Sequence, residues 1–593
     1  MQNRPSGDRR TAQSEAERGP APWEAPAPTS PPLPIIHKKR LPCPPVPAAP
    51  VGRAIASLFP AWEHHSMDIL AALLKLLFWV GIRLFKLAWW LLRLPFRMHR
   101  RARRKGGPHG SARWATRWEQ WRKGAITGEG VILGRGAFGR LLRFSTDGLV
   151  MVFGATGSGK GLGIVIPSLL SYRGSMVVTD PKGENYALTR RRRSLLGTVR
   201  MLNPSDLAHS DRYNPMDIIR KGTPSEADDA AALAALMVKS DGRETHWDDK
   251  AASLLKTLIL HSLHEPPASR TLSTVRRLSV GTPEVFIATL GEIANESPSL
   301  AAREIAAGFM TSSAGKDGGF SPEFASILSN AQKATEPWSA GAPAGQLSQT
   351  STFDLNNLTT TIKTLYLCVD EDVLEVYGPW LRVMVGCILK TFTRAKANRP
   401  KRKVVLLLDE VAVLGRLETL ESQSGLLRAY CTPVLIWQNM PQIRKIYGED
   451  AKAFLANASA RVFLGTSDND TAQYISQMVG HTTTLSNSTG ISHSGGSWAQ
   501  QNRQQGQSES GYWLIDPAEV QRLPLTRIIV KFRDVPSSIL GRRIDYRKFW
   551  RWRGKWDRWD GSRPKGMNAK PVPPRDEATH DTQPTSSADQ SFI

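Results

Sequence analysis

The stretch G-A-T-G-S-G-K-G, Gly154 to Gly161, directly follows the apolar run Leu149–Phe153. A buried strand that breaks into a glycine-rich turn ending in lysine is a phosphate cradle. Backbone N–H groups of Gly154, Ala155, Thr156, Gly157, Ser158, Gly159, Lys160 and Gly161 approach a triphosphate closely, and the Lys160 ammonium reaches its outer phosphates. An apolar helical pattern follows (Leu162, Ile164, Val165, Ile166, Leu169, Leu170), which sets this turn apart from an ordinary glycine-rich one. The residue after Lys160 is Gly161, where a hydroxyl that ligates Mg²⁺ is usual. The metal is therefore expected to rely on phosphate oxygens, water and carboxylates elsewhere. A second element, K-V-V-L-L-L-D-E, ends at Asp409 and Glu410. An apolar strand ending in two acids supplies what an ATPase needs: Asp409 to hold Mg²⁺ through water, Glu410 to orient or deprotonate the attacking water. The run T-P-V-L-I-W ends at Gln438, placed to sense a γ-phosphate or to serve as a plain strand-end polar residue. D-P-K-G-E, Asp180 to Glu184, follows another strand, so Lys182 and Glu184 face the sheet edge where ligands sit in open α/β folds. Arg428 and Arg461 are candidates for an arginine finger supplied by a neighbouring subunit.

These residues need a scaffold, and the pattern predicts an α/β core with a mainly parallel sheet. Strands are expected at Leu149–Phe153, Ser175–Thr179, Thr198–Leu202, Thr364–Val369, Val404–Leu408, Val434–Trp437 and Arg461–Leu464. Several are unbroken apolar runs, as in strands buried on both faces. Residues 218–352 change character: Ala, Leu and Glu dominate amphipathic repeats, and an all-α domain inserted into the nucleotide-binding domain (110–217 and 353–545) is expected. Residues 482–511, rich in Ser, Gly, Gln, Asn and Thr, read as a flexible loop. Residues 546–593 read as a basic–aromatic segment and a patternless tail. The interleaved bases and aromatics suit stacking on nucleic acid, docking on lipid headgroups, or a merely solvated end.

With 78 Lys and Arg against 53 Asp and Glu, the 593-residue chain carries a formal charge of +25, which points to nucleic acid or anionic lipid as partner. Cys43, Cys368, Cys387 and Cys431 show no paired spacing and read as reduced cytosolic thiols without zinc. Residues 1–66 are a Pro- and Ala-rich tail with no signal-peptide pattern. Residues 67–98 are apolar, but Lys75, Arg83 and Lys86 lie inside the stretch, and each costs roughly 2.5–3.5 kcal/mol at a bilayer centre. On a helical wheel these, with Arg93, Arg97 and Arg100, share an arc of roughly 100° with Trp79 and Trp90. A basic amphipathic helix lying on an anionic membrane is expected over 67–105, reinforced by the cluster Arg97–Lys105. A span packed against partner helices is the other reading.

Taken together, G-S-A-R-W-A-T (Gly110–Thr116), the cradle, D-P-K-G-E-N-Y, Y-N-P-M-D (Tyr213–Asp217), Y-G-P-W-L-R (Tyr377–Arg382) and L-L-L-D-E-V-A-V-L-G (Leu406–Gly415) resemble the TraG/VirD-type conjugative coupling ATPases of type IV secretion. The match runs in family order from about 110 to 540, and glycine after the cradle lysine is part of it. The resemblance implies a RecA-like P-loop motor, with ATP and Mg²⁺ as cofactors. It implies a homo-hexamer at the cytoplasmic face of a bacterial inner membrane. It implies single-stranded DNA with its relaxase, or protein substrates, as cargo passed to the secretion channel, with residues 218–352 similar to the part that recognises substrate. The family usually begins with two clean membrane-spanning helices, and this chain offers one charged apolar stretch. Two rivals remain on sequence alone. A chromosome-segregation-type double-strand DNA translocase would carry a C-terminal winged helix, which is not seen after 540. A non-hydrolysing receptor scaffold sits poorly with the intact Asp409–Glu410 pair.

Overall fold

The computed structural model describes residues 80–83, 86, 110–238, 245–313, 320–395, 398–422, 424–492 and 502–559. The chain divides into two units, Met1–Arg97 and Met98–Ile593. In the first, residues 80–83 and 86 are helical and exposed. The remainder of the expected 67–105 helix and the 1–66 tail lie outside the described residues. No helix among the described residues is long and apolar enough to cross a membrane.

Among the described residues, the second unit is built on a sheet of eleven strands. Seven are mutually parallel. In spatial order they are β9 (Ala458–Phe463), β3 (Leu149–Phe153), β8 (Cys431–Trp437), β7 (Val404–Leu408), β4 (Met176–Asp180), β6 (Lys363–Cys368) and β5 (Thr198–Leu202). Alternation explains why they read as unbroken apolar runs. Leu149, Met151 and Phe153 enter one hydrophobic core while Val150 and Val152 enter another; Val404, Leu406 and Leu408 separate from Val405 and Leu407 in the same way. Both faces are covered, so apolar side chains dominate them, and the buried Thr179 and Thr364 are hydrogen-bonded, to the Asp409 carbonyl oxygen and to Arg193.

Beyond β9 the sheet turns antiparallel through β12 (Arg527–Phe532), β13 (Ile539–Arg542), β1 (Val131–Arg135) and β2 (Leu141–Phe144). From Glu226 to Leu347 the elements are helices, with no strand among the described residues. They share one continuous core with the sheet: Leu233, Leu254 and Leu258 belong to the same cluster as Met384, Leu406 and Met151.

Two expectations are corrected. Of residues 482–511, the described ones are strand rather than loop: β10 (His481–Ser492) and β11 (Asn502–Trp513) pair in register as an antiparallel ribbon. Its base is pinned by the Ala112 N–H on His481 O (2.9 Å), a Ser111–Thr482 bridge, and His481 stacked on Trp513 at 3.7 Å. Two paired strands satisfy their own backbone, so the ribbon needs no apolar alternation to form ladder bonds. Nor are the described residues 546–559 a merely solvated end. Trp552 is buried, its Nε1 donates to Ser171 Oγ (2.8 Å), and the Asp557 N–H reaches Leu188 O (3.0 Å). Aromatic burial fixes this basic segment to the fold; residues 560–593 lie outside the described ones.

Candidate nucleotide site

All seven parallel strands point their carboxyl ends to one edge, and there β3, β4, β7 and β8 deliver the residues singled out from sequence. A cavity of about 1140 Å³ is lined by Gly157, Gly159, Lys160, Asp180, Asp409 and Glu410, with Lys182, Glu184 and Gln438 on its wall. The turn after β3 is fixed by the Gly154 N–H on Trp437 O (3.0 Å) and by Gly157 and Gly159 at φ 77° and 87°, a region that favours glycine. A Cβ added at Gly157 or Gly161 would meet nothing within 4 Å. The cradle is thus open toward the cavity, and at Gly161 no steric demand excludes a side chain.

Lys160 opens the following helix and is nearly buried. Its Nζ donates to Glu410 Oε1 at 3.2 Å, and Gln438 Nε2 donates to Glu410 Oε2 at 2.9 Å. Three residues from three strand ends therefore meet on one carboxylate. Glu410 holds a left-handed backbone (φ 49°), uncommon for a residue with a Cβ and a form of strain that clusters at functional sites. Asp409 is anchored through its backbone: its N–H donates to Thr179 Oγ1 (2.6 Å), and Thr179 Oγ1 contacts its carbonyl oxygen at 2.9 Å. Burial pushes the Asp409 carboxyl up to about 6; Lys160 opposes the rise and Glu410 adds to it. Asp180 also rises to about 6 through burial, but the N–H groups of Asn185 and Tyr186 already engage its oxygens, which makes it a helix-capping group. Glu184 is half-buried and shifted up by burial; Lys182 forms an exposed ion pair with Glu371 at 3.0 Å.

The donor set fits a nucleotide–magnesium complex. The glycine turn offers amides and space, Lys160 a cation, and Asp409 a buried carboxylate whose charged form a divalent ion would stabilise. Among the described residues no cluster of three His, Cys, Asp or Glu forms a metal site by itself.

The two arginines stand elsewhere. Arg461 lies within β9 with Nη1 donating to Tyr474 Oη (2.6 Å). Arg428 is exposed near the amino end of β3, lining a small recess with Asp147 and Gly148. Sequence reasoning passed over Arg543. From beyond β13 it crosses behind the cradle, with Nη1 donating to Ser158 O at 2.7 Å, and it fills the space a Cβ at Gly159 would need.

The family described as type IV secretory system conjugative DNA transfer matches residues 113–580. Protein VirD4 of Rhizobium radiobacter is 29% identical over 453 residues, covering 74% of this chain and 64% of that protein. Conjugal transfer protein TraG of Escherichia coli is 28% identical over 425 residues, covering 64% of this chain and 65% of that one. The chain thus spans just under two thirds of the length of these relatives. Plasmid coupling protein TrwB in complex with the ATP analogue ADPNP superposes with a TM-score of 0.55 at 18% identity, covering 74% of this chain and 96% of TrwB. TrwB with ADP and Mg²⁺ gives 0.54 at 17%, covering 76% and 95%. These likenesses show a shared α/β fold.

Proposed function

The chain belongs to the type IV secretory system conjugative DNA transfer family, and from that premise we propose that it is an ATP-hydrolysing coupling protein. In this reading it receives relaxase-bound single-stranded DNA or protein cargo and passes it to a secretion channel. It works as a homo-hexamer at the cytoplasmic face of a bacterial inner membrane, held there by residues 67–105. The helical region 218–352 recognises cargo.

The observation that carries the reading is the meeting of Lys160, Glu410 and Gln438 beside Asp409 at the carboxyl edge. Amides of residues 154–161 and Lys160 would hold the phosphates, and Asp409 would hold Mg²⁺, which when bound would neutralise charge on the phosphate oxygens. Lys160 is paired with Glu410, and a triphosphate in the cradle competes for that ammonium. Its transfer to phosphate leaves the Glu410 carboxylate, steadied by Gln438, to take a proton from water. TrwB, of the same fold, binds ADPNP and ADP with Mg²⁺, which supports nucleotide at this edge. Lys160→Ala is expected to lower ATP turnover about a hundredfold or more at an unchanged melting temperature. Turnover equal to wild type, with or without single-stranded DNA, overturns the assignment.

A further inference from the structure

Away from the nucleotide edge, the far antiparallel end of the sheet carries an unusual concentration of exposed aromatic rings. Trp118 and Trp121 on helix Arg117–Arg122 are 59% and 53% exposed, Phe138 in the β1–β2 turn is 68% exposed, and Trp550 is 75% exposed. These elements are stitched into one surface. Gln120 Oε1 accepts the Ala137 N–H (2.8 Å), which joins the helix to the turn. Arg135 lies over the Phe549 ring at 5.5 Å, which joins β1 to the C-terminal segment. Phe138 holds φ 55°. A bulky residue at positive φ costs conformational free energy that glycine would avoid, so the turn presents this ring against a local penalty.

We propose that this surface seats on an anionic phospholipid headgroup layer, as a second membrane contact in addition to residues 67–105. The inference rests on the reading that the chain works at a membrane. Three rings are covered on a face by guanidinium groups: Arg122 over Trp118 (5.0 Å), Arg117 over Phe138 (5.5 Å) and Arg551 over Trp550 (5.3 Å). A nucleobase needs the ring face for stacking, and here the cation competes for it. At a bilayer surface the same pairing is favourable: indole rings settle at headgroup level while arginines meet lipid phosphates. Glu119, the acid of this helix, is neutralised by Arg113 through two hydrogen bonds, so the face remains cationic. Arg117 stands twelve positions after Lys105, the end of the basic cluster expected to lie on the membrane, so the two basic regions adjoin in sequence.

The test uses full-length protein with vesicles of phosphatidylcholine alone or mixed with phosphatidylglycerol, and in parallel a fluorescent oligothymidylate. One variant carries Trp118→Ser, Trp121→Ser, Phe138→Ser and Trp550→Ser. A second carries Arg117→Gln, Arg122→Gln and Arg551→Gln, and decides the matter if the first folds poorly. Both are expected to bind phosphatidylglycerol vesicles about tenfold or more weakly than wild type, with wild-type oligothymidylate binding and wild-type ATP turnover in detergent. Vesicle binding equal to wild type overturns the proposal and leaves residues 67–105 as the anchor. Loss of oligothymidylate binding with vesicle binding intact overturns it in favour of a nucleic-acid surface. Wild-type protein indifferent to vesicles overturns it together with the membrane reading. Wild-type protein without turnover removes the motor reading and leaves this surface standing.

Discussion

At the scale of single residues, the balance at Asp409 makes nucleotide binding depend on pH. Burial holds its carboxyl at about 6 in the folded chain, against about 3.9 in an unfolded one. Between those values the folded state binds more protons, so the group's contribution to stability declines as pH rises from about 4 to about 6. Magnesium binding has the opposite slope, because the ion requires the carboxylate and expels the proton. Affinity for Mg²⁺–ADP is therefore expected to fall, by up to about tenfold per pH unit, as pH drops below about 6. Asp409→Asn should bind weakly and show a flatter profile, and calorimetry across this window distinguishes the two. Wild-type affinity that stays level down to pH about 5 contradicts the assignment of Asp409 to the metal. Gly161 gives a second test. Since its Cβ would meet open space, Gly161→Ser should change stability by no more than about 0.5 kcal/mol and keep nucleotide binding. Loss of the fold or of binding would show that glycine is demanded there for another reason.

At the scale of elements, the cradle is backed by the segment after β13. Arg543 ties it to Ser158 O across 385 positions of sequence. A hydrogen bond from a charged group contributes about 1.5–3 kcal/mol, less where the side chain is partly exposed as here. Arg543→Ala is expected to raise the KM for ATP about fivefold with a smaller change in kcat, and Arg543→Lys to recover part of it. An equal fall in kcat without a change in KM would place Arg543 in the chemistry instead. This contact also shows where sequence reading stops. Leu149–Phe153 and Val404–Leu408 are read with the observed limits because central parallel strands, buried on both sides, write themselves as apolar runs; the edge strand Thr198–Leu202 is read with its observed limits too, although Arg200 breaks its run. Lys160, Asp409, Glu410 and Gln438 were legible for the same reason: each stands within a few residues of such a run. β1, β2, β12 and β13 were not, because Arg143 and Lys531 interrupt β2 and β12, and the short apolar runs of β1 and β13 end at Gly134 and Gly541. The β10–β11 ribbon lacked any apolar signal, its ladder being backbone alone. Arg543 carries no local mark, and residue type alone does not tell that the Arg461 guanidinium is engaged by Tyr474.

At the scale of the whole folded unit, the helical region and the sheet are one packed body. Helix Glu226–Met237 lies against helix Gly378–Arg394 so closely that a Cβ at Gly386 would stand 2.4 Å from Leu236. Arg382 Nη2 donates to Met237 O at 2.8 Å. Asp229, fully buried at its side chain, receives Arg220 at 2.8 and 3.0 Å and also pairs with Arg394. Under the proposed function, with nucleotide hydrolysed at the sheet edge and cargo recognised by the helices, such a junction needs to be stiff, since a compliant one would absorb a small displacement at the cradle. Asp229 is the point at which to cut it. Asp229→Ala leaves Arg394 beside a cavity with its buried partner gone, and the loss of one member of such a pair costs about 3–5 kcal/mol, toward the lower end here because Arg220 is half-exposed. Because the core runs unbroken from Leu233 to Leu406, the destabilisation should appear as a lower midpoint of a single transition, with sheet and helices lost together. Thermal unfolding followed by near-ultraviolet circular dichroism and by limited proteolysis of residues 218–352 resolves the alternatives. If proteolysis of the helices runs ahead while the nucleotide edge still binds ADP, the two parts are separable, and displacement at the cradle has no rigid path to the helices.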